Sequence, residues 1–546
     1  MSGKCVSEEW CSGWGRWQVR LALLLALPVL LTGAYGTNYV FLAASTPHRC
    51  HVPECEDNAT LGVAPSERWA PEWTRWALPQ GEGARCQRWP PSGAGAGAAC
   101  RAGSFDNKTS PVACDQYVYQ HGSSIVSEFD LACQEWKRSL VGTVHNVGML
   151  ISLPIMGFVS DKWGRRAALV VSGCGAGVLG LAKSFAASYP VYLLAELLET
   201  VAGASVYPSA FVLMIEWLGV EHRIFASLVL GIPLSLGAAS LALLDYLTGY
   251  WRTWARLAYP PSLLLLLYPW LLPESVRWLV TQGRLAEAAR TIRRAARCNG
   301  VRVPDHALEK VLLEKEQLAE KNNTHIDEGL LTALIKYGAL RRRLCVCFVW
   351  WISAVFVFYG LAVQTHALAG SLHANYALVA AAELPALVLN TLLLDRVGRR
   401  PLLTAALMLT AVALITIPCL PASAGAAGTF FYLLGKMGIT MSLNALYVYT
   451  AELFPTRARH RLLAACSMLG RLGAILAPLT TVLTMYKWWL PTVLFGSLPL
   501  LSAALTRLVP DTLHRRLPDS FAELETSSDT VNTDADASPD AERGNC

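Results

Sequence analysis

The chain has 546 residues, of which 53% are hydrophobic and only 16% are Asp, Glu, Lys or Arg. Soluble globular proteins carry about 25% charged residues, so the composition excludes a soluble multidomain enzyme and a disordered or fibrous chain. The net charge of +6 is small for this length, which argues against a nucleic-acid-binding protein. A chain of this kind is expected to cross a membrane many times.

Twelve segments are long and apolar enough to cross a bilayer, which takes about 20 residues per helix. The first is too long for a cleaved signal peptide and lacks a small-residue cleavage site. Two polar stretches, 47–136 and 273–343, interrupt the series, and the second separates two sets of six spans. The predicted spans are 19–44, 139–159, 167–186, 190–216, 224–246, 253–272, 344–364, 374–394, 401–421, 427–450, 462–485 and 489–509.

We therefore predict an all-α membrane protein with twelve transmembrane helices in two six-helix repeats. Helical patterns at 285–296 and 307–321 predict amphipathic helices between the two halves. The acidic tail after Thr526 has a composition typical of disorder. The predicted domains are a cytoplasmic N-terminus (1–18), an amino-terminal half (19–272) that includes an extracellular disulfide-rich loop (47–136), a cytoplasmic helical loop (273–343), a carboxy-terminal half (344–509) and an acidic cytoplasmic tail (510–546).

Lys and Arg in the short loops set the orientation, because cytoplasmic loops carry an excess of them. They concentrate in the loops between spans 2 and 3, 4 and 5, 8 and 9, and 10 and 11, whereas the loops between spans 7 and 8 and between 9 and 10 have none. Both termini are therefore predicted to be cytoplasmic and loop 47–136 extracellular. The basic residues concerned are Lys162, Arg165, Arg166, Arg223, Arg396, Arg399, Arg400, Arg457, Arg459 and Arg461.

Loop 47–136 holds six of the fifteen cysteines, an even number that predicts three disulfides in an oxidising compartment. Fifteen pairings of six cysteines are possible, and the spacing does not choose among them. Asn58 and Asn107 begin glycosylation sequons in the same loop. The candidate disulfide cysteines are Cys50, Cys55, Cys86, Cys100, Cys114 and Cys133.

Acidic and basic motifs recur in the same order about 235 residues later, which indicates two parallel repeats with a binding site at their interface. The pattern Gly-x-x-x-Asp-x-x-Gly-Arg-Arg ends span 2, and its counterpart without the first glycine ends span 8. A Glu precedes an Arg by seven positions after spans 4 and 10, and Pro-Glu or Pro-Asp follows spans 6 and 12. The motif residues are Gly157, Asp161, Gly164, Arg165, Arg166, Glu216, Arg223, Glu274, Arg277, Asp395, Gly398, Arg399, Arg400, Glu452, Arg459 and Asp511.

These motifs lie at predicted cytoplasmic helix ends, where a carboxylate pairs with a neighbouring Arg or caps a helix N-terminus. We interpret them as gating motifs that hold the cytoplasmic side closed and release it when the two halves rock. A permanent structural brace is the alternative interpretation.

Several further motifs carry a resemblance to a known family. They are Gly15-Arg-Trp-Gln18, Phe41 to Cys50 at the end of span 1, Cys114 to Tyr119 with Ser127 to Cys133, Glu216-Trp-Leu, Pro273-Glu-Ser-Val-Arg277-Trp278 and Glu452-Leu-Phe-Pro455-Thr456. In this order and on these membrane sides they resemble the major facilitator superfamily, and within it the organic cation/anion transporter family (solute carrier family 22 type).

The resemblance implies a plasma-membrane transporter that moves amphiphilic organic ions by alternating access. No phosphate-binding loop of the Gly-x-x-x-x-Gly-Lys-[Ser/Thr] type occurs in the sequence, so an ATP-driven pump is not expected. No nucleophile–base pair or metal-ligand spacing supports an enzyme, a cofactor or a metal site. The predicted partners are a small organic ion and membrane lipid, without nucleic acid, and the oligomeric state stays open.

Ionisable residues inside spans are candidates for substrate binding because they are costly in lipid. Arg471 in span 11 is the first candidate, since anion-transporting relatives resemble this sequence with Arg at the matching place and cation-transporting relatives have Asp there. Glu383 in span 8 is a possible partner of Arg471 or a cation ligand. Glu196 in span 4 stands where the family usually has Arg, and is either a proton or cation site, a partner of Arg471, or a hydrated residue near the helix end.

Three further residues match the family: Lys436 and Asn444 in span 10 and the aromatic Tyr359 in span 7. Lys436 alternatively snorkels to the outer interface. Leu387 and Leu462 depart from the family, which has Lys in some anion transporters and small residues, respectively, at those places. We therefore expect an organic-ion transporter, with anions favoured by Arg471. The alternatives are an organic cation or zwitterion transporter and a non-transporting receptor or scaffold that keeps the fold.

Overall fold

The described part of the chain, in a computed structural model, comprises residues 13–56, 71–79, 85–92, 100, 103–219, 222–304, 308, 330–421, 423–455 and 458–513. Several predicted features lie outside it: residues 1–12 of the N-terminus, Asn58, the side chain of Arg223, most of the helix predicted at 307–321, Arg457, and the tail from residue 514.

Helices occupy all six predicted spans of the amino-terminal half. Span 6 is divided because the adjacent Pro260 and Pro261 lack N–H donors. The helices are Arg16–Tyr35 and Tyr39–Leu42 (span 1), Glu135–Trp163 (span 2), Arg165–Lys183 (span 3), Tyr189–Gly203 and Val206–Glu216 (span 4), Arg223–Thr248 (span 5), and Trp251–Ala258, the 3-10 helix Pro260–Leu267 and Tyr268–Leu271 (span 6).

The carboxy-terminal half repeats this arrangement. Its helices are Gly338–Val363 (span 7), Leu372–Ala381 and Glu383–Val397 (span 8), Arg399–Thr416 (span 9), Gly425–Leu453 (span 10), Arg459–Leu476 with Ala477–Leu479 and Thr480–Leu483 (span 11), and Leu490–Leu505 (span 12). In the described residues, ten of the twelve spans are long and apolar enough to cross a membrane by length and composition; span 6, with its 3-10 segment, and the more polar span 10 are the other two.

The two halves share one pattern of helix pairing. Spans 1 and 5, 2 and 4, and 3 and 6 pack together in the first half, as do spans 7 and 11, 8 and 10, and 9 and 12 in the second. Spans 2 and 11 meet across the boundary between the halves, and so do spans 5 and 8. The structure thus has the twelve-helix, two-repeat fold that the sequence predicts.

Glycines allow the closest of these contacts. A Cβ on Gly33 of span 1 would lie 2.1 Å from the Leu234 carbonyl oxygen of span 5, and a Cβ on Gly473 of span 11 would lie 2.4 Å from that of Ile352 in span 7. The two helix pairs therefore pack backbone against backbone, as small residues permit in membrane bundles.

A small domain with three disulfides covers one end of the bundle, which we name the loop face; the opposite end, with the repeated motifs, is the motif face. Strands β1 (His48–Cys50) and β4 (Tyr117–Tyr119) pair antiparallel, as do β2 (Gln87–Arg88) and β3 (Val112–Ala113). The six predicted cysteines pair as Cys50–Cys114, Cys55–Cys100 and Cys86–Cys133.

Helices on the motif face connect the halves. Val276–Thr281, Leu285–Asn299 and Leu330–Lys336 follow span 6. The predicted amphipathic helix at 285–296 is present as Leu285–Asn299 and buries Ile292 against the amino-terminal half. The Asn299 side chain also accepts a hydrogen bond from the Trp17 backbone at 2.8 Å, so this helix braces span 1.

Candidate functional site

Arg471 lies in span 11 beside the glycines that bring this helix against span 7. Any side chain at Gly470 would crowd Val355 and Trp351, and one at Gly473 would overlap the backbone of span 7. This close packing places the Arg471 guanidinium next to span 7, where its Nη1 donates to the Tyr359 hydroxyl at 3.0 Å.

No described carboxylate lies within 4.0 Å of Arg471. Its other recorded polar contact is the Met149 sulfur of span 2, 3.7 Å from Nη1. Arg471 therefore touches both halves of the protein, since Met149 belongs to the amino-terminal repeat. A guanidinium presents a fork of N–H donors that suits carboxylate or sulfate groups, and no described acid binds to this fork in Arg471.

Tyr359 is the aromatic residue of span 7 that reaches this site, whereas its neighbours serve the core. Trp350 stacks on Tyr449 and Phe356 packs against Phe495, both inside the carboxy-terminal half. Among the described aromatic residues of this segment, Tyr359 is thus the one that hydrogen-bonds to Arg471.

Glu383 and Lys436 form an ion pair with 2.9 Å between Nζ and Oε1. Glu383 also accepts a hydrogen bond from Ser235 of span 5 at 2.9 Å, across the boundary between the halves. The predicted pairing of Glu383 with Arg471 is therefore not formed. Lys436 does not snorkel to the interface: it is 1% exposed, and its ammonium lies 3.3 Å from the centre of the Phe358 ring.

Asn444 and Leu387 face other parts of the bundle. The Asn444 amide donates to the Thr440 carbonyl of its own helix at 2.8 Å. Leu387 is 6% exposed and packs against Gly231 of span 5, where a Cβ would lie 2.8 Å from the leucine side chain. The position that is Lys in some anion transporters thus contributes here to the apolar contact between spans 5 and 8.

Glu196 is neither hydrated nor paired with Arg471, because it is fully buried inside the amino-terminal half. Its two oxygens bind Lys183 Nζ at 2.6 Å and His145 Nδ1 at 2.7 Å. Lys183 also lies 3.4 Å from Glu199 and donates to the Tyr259 hydroxyl at 3.0 Å. The span-4 acids therefore belong to a second charged site, separate from Arg471.

Sequence reasoning missed Lys183 and His145. Lys183 ends span 3, where a lysine usually snorkels to the interface, and a lone histidine in a span carries little information. The available signal was the pair Glu196 and Glu199, which are three positions apart and therefore share one helix face. Two acids on one buried face require a cation nearby.

The halves meet closely at the loop face. Ser139 of span 2 hydrogen-bonds Thr481 at the end of span 11, with 2.6 Å between the hydroxyl oxygens. His373 of span 8 binds Asp245 of span 5 at 2.9 Å, and Thr37 hydrogen-bonds Tyr376. These contacts close the loop-face end of the boundary.

Acidic residues cap the helices that begin at the motif face. Glu274 accepts hydrogen bonds from the first backbone N–H groups of span 3, at Arg165 (2.9 Å) and Arg166 (3.2 Å). Burial raises the pKa of Glu274, although these N–H donors act in the opposite direction. Gly164, with φ of 101°, is required because a Cβ there would lie 2.3 Å from the Glu274 carboxylate.

The second repeat has the equivalent contacts. Asp511 accepts a hydrogen bond from the Arg400 backbone at 3.3 Å, and Gly398 has φ of 105°. Arg399 binds Asp395 and Glu452, each at 3.0 Å, in the way that Arg165 binds Asp161 (3.2 Å) and Glu216 (3.4 Å).

The two motif aspartates are largely exposed, Asp161 at 79% and Asp395 at 60% of the side chain. Each is paired with the Arg of its own motif, inside its own half. The exposed Arg277 belongs to the helix after span 6, and Gly157 has open space around it.

Solved structures with a similar fold are transporters. The MFS proton:xylose symporter XylE bound to 6-bromo-6-deoxy-D-glucose superposes with a TM-score of 0.61 at 15% sequence identity, covering 93% of this chain and 99% of that chain. The inward open conformation of XylE from E. coli gives a TM-score of 0.60 at 14% identity, with the same coverage of 93% and 99%. At these identities the likeness shows the fold alone.

Sequence comparison extends the likeness. The profile of the sugar (and other) transporter family matches residues 109–518. Solute carrier family 22 member 6 of Rattus norvegicus is 28% identical over 525 residues, covering 94% of this chain and 93% of the relative. Organic cation/carnitine transporter 2 of Mus musculus is 32% identical over 527 residues, covering 94% of this chain and 92% of the relative.

The family profile spans most of the chain, and relatives from one transporter group align with it almost from end to end. The chain therefore belongs to the sugar (and other) transporter family of the major facilitator superfamily, as a transporter of the solute carrier family 22 type.

Proposed function

We propose that this protein transports organic anions across the plasma membrane by alternating access, and that Arg471 binds the anion. The observation that carries the proposal is the guanidinium of Arg471 inside the bundle, with Tyr359 as a hydrogen-bond partner and no described carboxylate within 4.0 Å. A cation at membrane depth is costly unless it acquires a counter-ion, and a substrate carboxylate or sulfate supplies one.

The other charges inside the spans favour an anion over a cation. Glu383, the acid available to attract a cation, already binds Lys436 at 2.9 Å. Glu196 and Glu199 are likewise bound to Lys183. A cationic substrate would therefore have to displace a buried lysine from its carboxylate, whereas an anion adds a missing partner to Arg471.

The contacts of Arg471 with both halves support alternating access. Span 11 supplies the guanidinium and span 2 supplies Met149, so a bound anion would lie at the boundary that opens and closes. With Ser139 and Thr481 in contact at the loop face, this conformation corresponds to a site closed toward the disulfide domain.

The proposed orientation places the loop face outside the cell and both termini in the cytoplasm. The three disulfides and the exposed sequon at Asn107 suit an oxidising, extracellular compartment. The arginine-rich motif face follows the positive-inside rule. Exposed apolar side chains on the outer faces of the spans, such as Leu23 (71%) and Leu243 (61%), suit contact with lipid tails.

Uptake into cells expressing the full chain tests the proposal. The probes are radiolabelled naphthalene-1-sulfonate as an anion and benzyltrimethylammonium as a cation. Loss of a charge-assisted contact worth about 1.5–3 kcal/mol predicts that Arg471→Ala lowers anion uptake on the order of 10- to 100-fold. Arg471→Lys should retain part of the uptake, because it keeps the charge but loses the fork.

Arg342→Ala is the matched control, since Arg342 is an exposed arginine at the start of span 7. It should transport like the wild type at equal surface expression. Anion uptake that Arg471→Ala leaves unchanged would overturn the role of Arg471. Uptake of the cation alone would favour the cation alternative, and absence of flux for a broad set of organic ions would favour a receptor or scaffold.

A further inference from the structure

Four ionisable side chains form a site inside the amino-terminal half, which we name the buried cluster: His145, Lys183, Glu196 and Glu199. A ring nitrogen of His145 and one oxygen from each glutamate lie within 4.8 Å of one another. None of the four residues is more than 2% exposed. The cluster joins spans 2, 3 and 4.

The charges of the buried cluster do not balance without a proton. Two carboxylates face one ammonium, so a neutral His145 leaves one net negative charge in a water-excluded site. Isolated buried charges cost several kcal/mol even after relaxation, and buried groups instead change their protonation to become neutral. One proton, on the imidazole or on a carboxyl group, makes the cluster neutral.

His145 has a vacant position for this proton. Its Nδ1 bonds to Glu196 at 2.7 Å, while Nε2 is buried and has no hydrogen-bond partner among the described residues. The site does not suit a metal ion, because the two carboxylates that would coordinate the metal already lie 2.6 Å and 3.4 Å from the Lys183 ammonium.

Span 2 links the buried cluster both to the loop-face contact between the halves and to Arg471. His145 is one helical turn, about 6 Å, from Met149, whose sulfur contacts Arg471. On its other side, Gly142 packs against Pro478 of the facing half and against Tyr39, and the Tyr39 ring lies 5.1 Å from the His145 ring. Opening of the loop face would therefore expose span 2 close to His145.

We propose that the buried cluster is a proton-binding site that couples anion transport to the proton gradient. One proton from water on the loop-face side binds at His145 or at a cluster carboxyl group and leaves to water on the motif-face side. No other bond changes in this step, and one proton accompanies one anionic charge. The direction of the effect rests on the proposed anion function, but the existence of the site does not.

Electrostatics determines whether anion uptake rises or falls with pH. The protonated cluster is neutral, whereas the deprotonated cluster places a negative charge near Arg471 and weakens its attraction for an anion. Anion uptake should therefore rise as the pH on the loop-face side falls.

The remaining groups around the cluster do not titrate between pH 5 and pH 8. They are tyrosines from spans 1, 4 and 6, and tyrosine ordinarily titrates near pH 10. These residues are Tyr35, Tyr39, Tyr192 and Tyr259, in ring or hydrogen-bond contact with the cluster or with each other.

Glu199→Gln is the decisive variant, because it leaves one carboxylate and one ammonium and so removes the need for the proton. Uptake of naphthalene-1-sulfonate, which stays ionised at all pH values used, is measured in proteoliposomes containing the full chain. Wild-type uptake should rise on the order of tenfold from pH 8 to pH 5. From pH 8 to pH 5, Glu199→Gln should take up the anion at the rate that the wild type reaches at pH 5. If Glu199→Gln does not fold, Glu196→Gln gives the cluster the same net charge and replaces it.

Two other variants isolate the effect. All measurements are repeated in a His373→Gln background, because the His373–Asp245 pair between the halves could also respond to pH. Glu128→Gln is the matched control at the loop face. Although burial acts to raise the pKa of Glu128, hydrogen bonds from Arg252, Trp251 and Tyr250 lower it, so this acid stays ionised over the range and its removal should leave the pH response unchanged.

Infrared difference spectra of the purified protein between pH 8 and pH 5 test the site without any flux. The wild-type spectrum should contain the protonated carboxyl or imidazolium band of one additional group, and this contribution should be missing in Glu199→Gln. A wild-type pH response that both Gln variants retain, or wild-type and variant spectra that do not differ by this contribution, would overturn the proton site. A band that behaves as expected without anion flux would support the site and count against the transport function alone.

Discussion

Arg471 differs from Lys183 and Lys436 in its surroundings. Each lysine is buried and lies within 3.0 Å of a carboxylate, that of Glu196 or Glu383, whereas Arg471 bonds to a tyrosine hydroxyl. Buried pairs of opposite charge hold a fold in place once formed, while a cation without a carboxylate is available for a ligand. Lys183 and Lys436 therefore have their counter-ions within the fold, whereas we propose that the substrate supplies one for Arg471.

The Glu383–Lys436 pair should behave as a structural unit. Removing one partner leaves a buried charge unpaired, which costs about 3–5 kcal/mol in buried pairs. Glu383→Gln and Lys436→Met should each lower the melting temperature of the purified protein, and the double variant should lose less than the sum of the two. Additive losses in this double-mutant cycle would show that the two side chains do not depend on each other.

Sequence alone identifies most of the important charged residues but not their partners. Arg471, Glu383 and Lys436 stand out because each interrupts an apolar segment. Their pairing depends on the rotation and depth of each helix, which periodicity does not determine in a bundle that is apolar on many faces. Lys183 is missed for a related reason, since its place at a helix end predicts an interfacial position rather than a buried one.

The helix elements meet across the boundary in two pairs, spans 2 and 11 and spans 5 and 8. At the loop face the contact between spans 2 and 11 is direct, since Ser139 and Thr481 share a hydrogen bond of 2.6 Å. Alternating access requires this contact to break when the site opens toward the disulfide domain.

A reversible cross-link at this contact should stop transport. Cysteines in place of Ser139 and Thr481 would bring two sulfurs within reach of a disulfide. Under oxidising conditions the double variant should lose uptake, and a reductant should restore it. Each single cysteine variant is the control and should be insensitive to the oxidant. Full uptake with the cross-link formed, as measured by mass spectrometry, would contradict the closing role of this contact.

The predicted spans are present in the structure because long apolar segments leave few alternatives to a helix in a bilayer. Their breaks are less predictable. Span 4 is divided near Ala204 and span 8 near Ala382, and Pro208 and Pro385 follow these breaks within one helical turn. Proline removes one backbone N–H donor, yet span 2 continues through Pro154, so a proline alone does not predict where a span divides. The disulfide pairing likewise depends on how the loop folds, which cysteine spacing leaves open.

At the scale of the whole molecule, the duplicated motifs give both halves the same construction. Glu274 and Asp511 cap equivalent helices, and Arg165 and Arg399 bind equivalent acids. These contacts lie inside each half, so each half can move as a unit. Arg471, which contacts Met149 of the other half, lies at the boundary where we propose that rocking of the halves alternates access to the two sides.

Exchange in proteoliposomes tests the central claim most directly. Purified wild-type protein and Arg471→Ala are compared for uptake of labelled naphthalene-1-sulfonate, with and without unlabelled anion inside the vesicles. We predict that the wild type shows saturable uptake that internal anion accelerates, and that Arg471→Ala loses at least about 90% of it, the effect of roughly 1.4 kcal/mol of lost binding. Equal exchange by the two proteins would contradict the account.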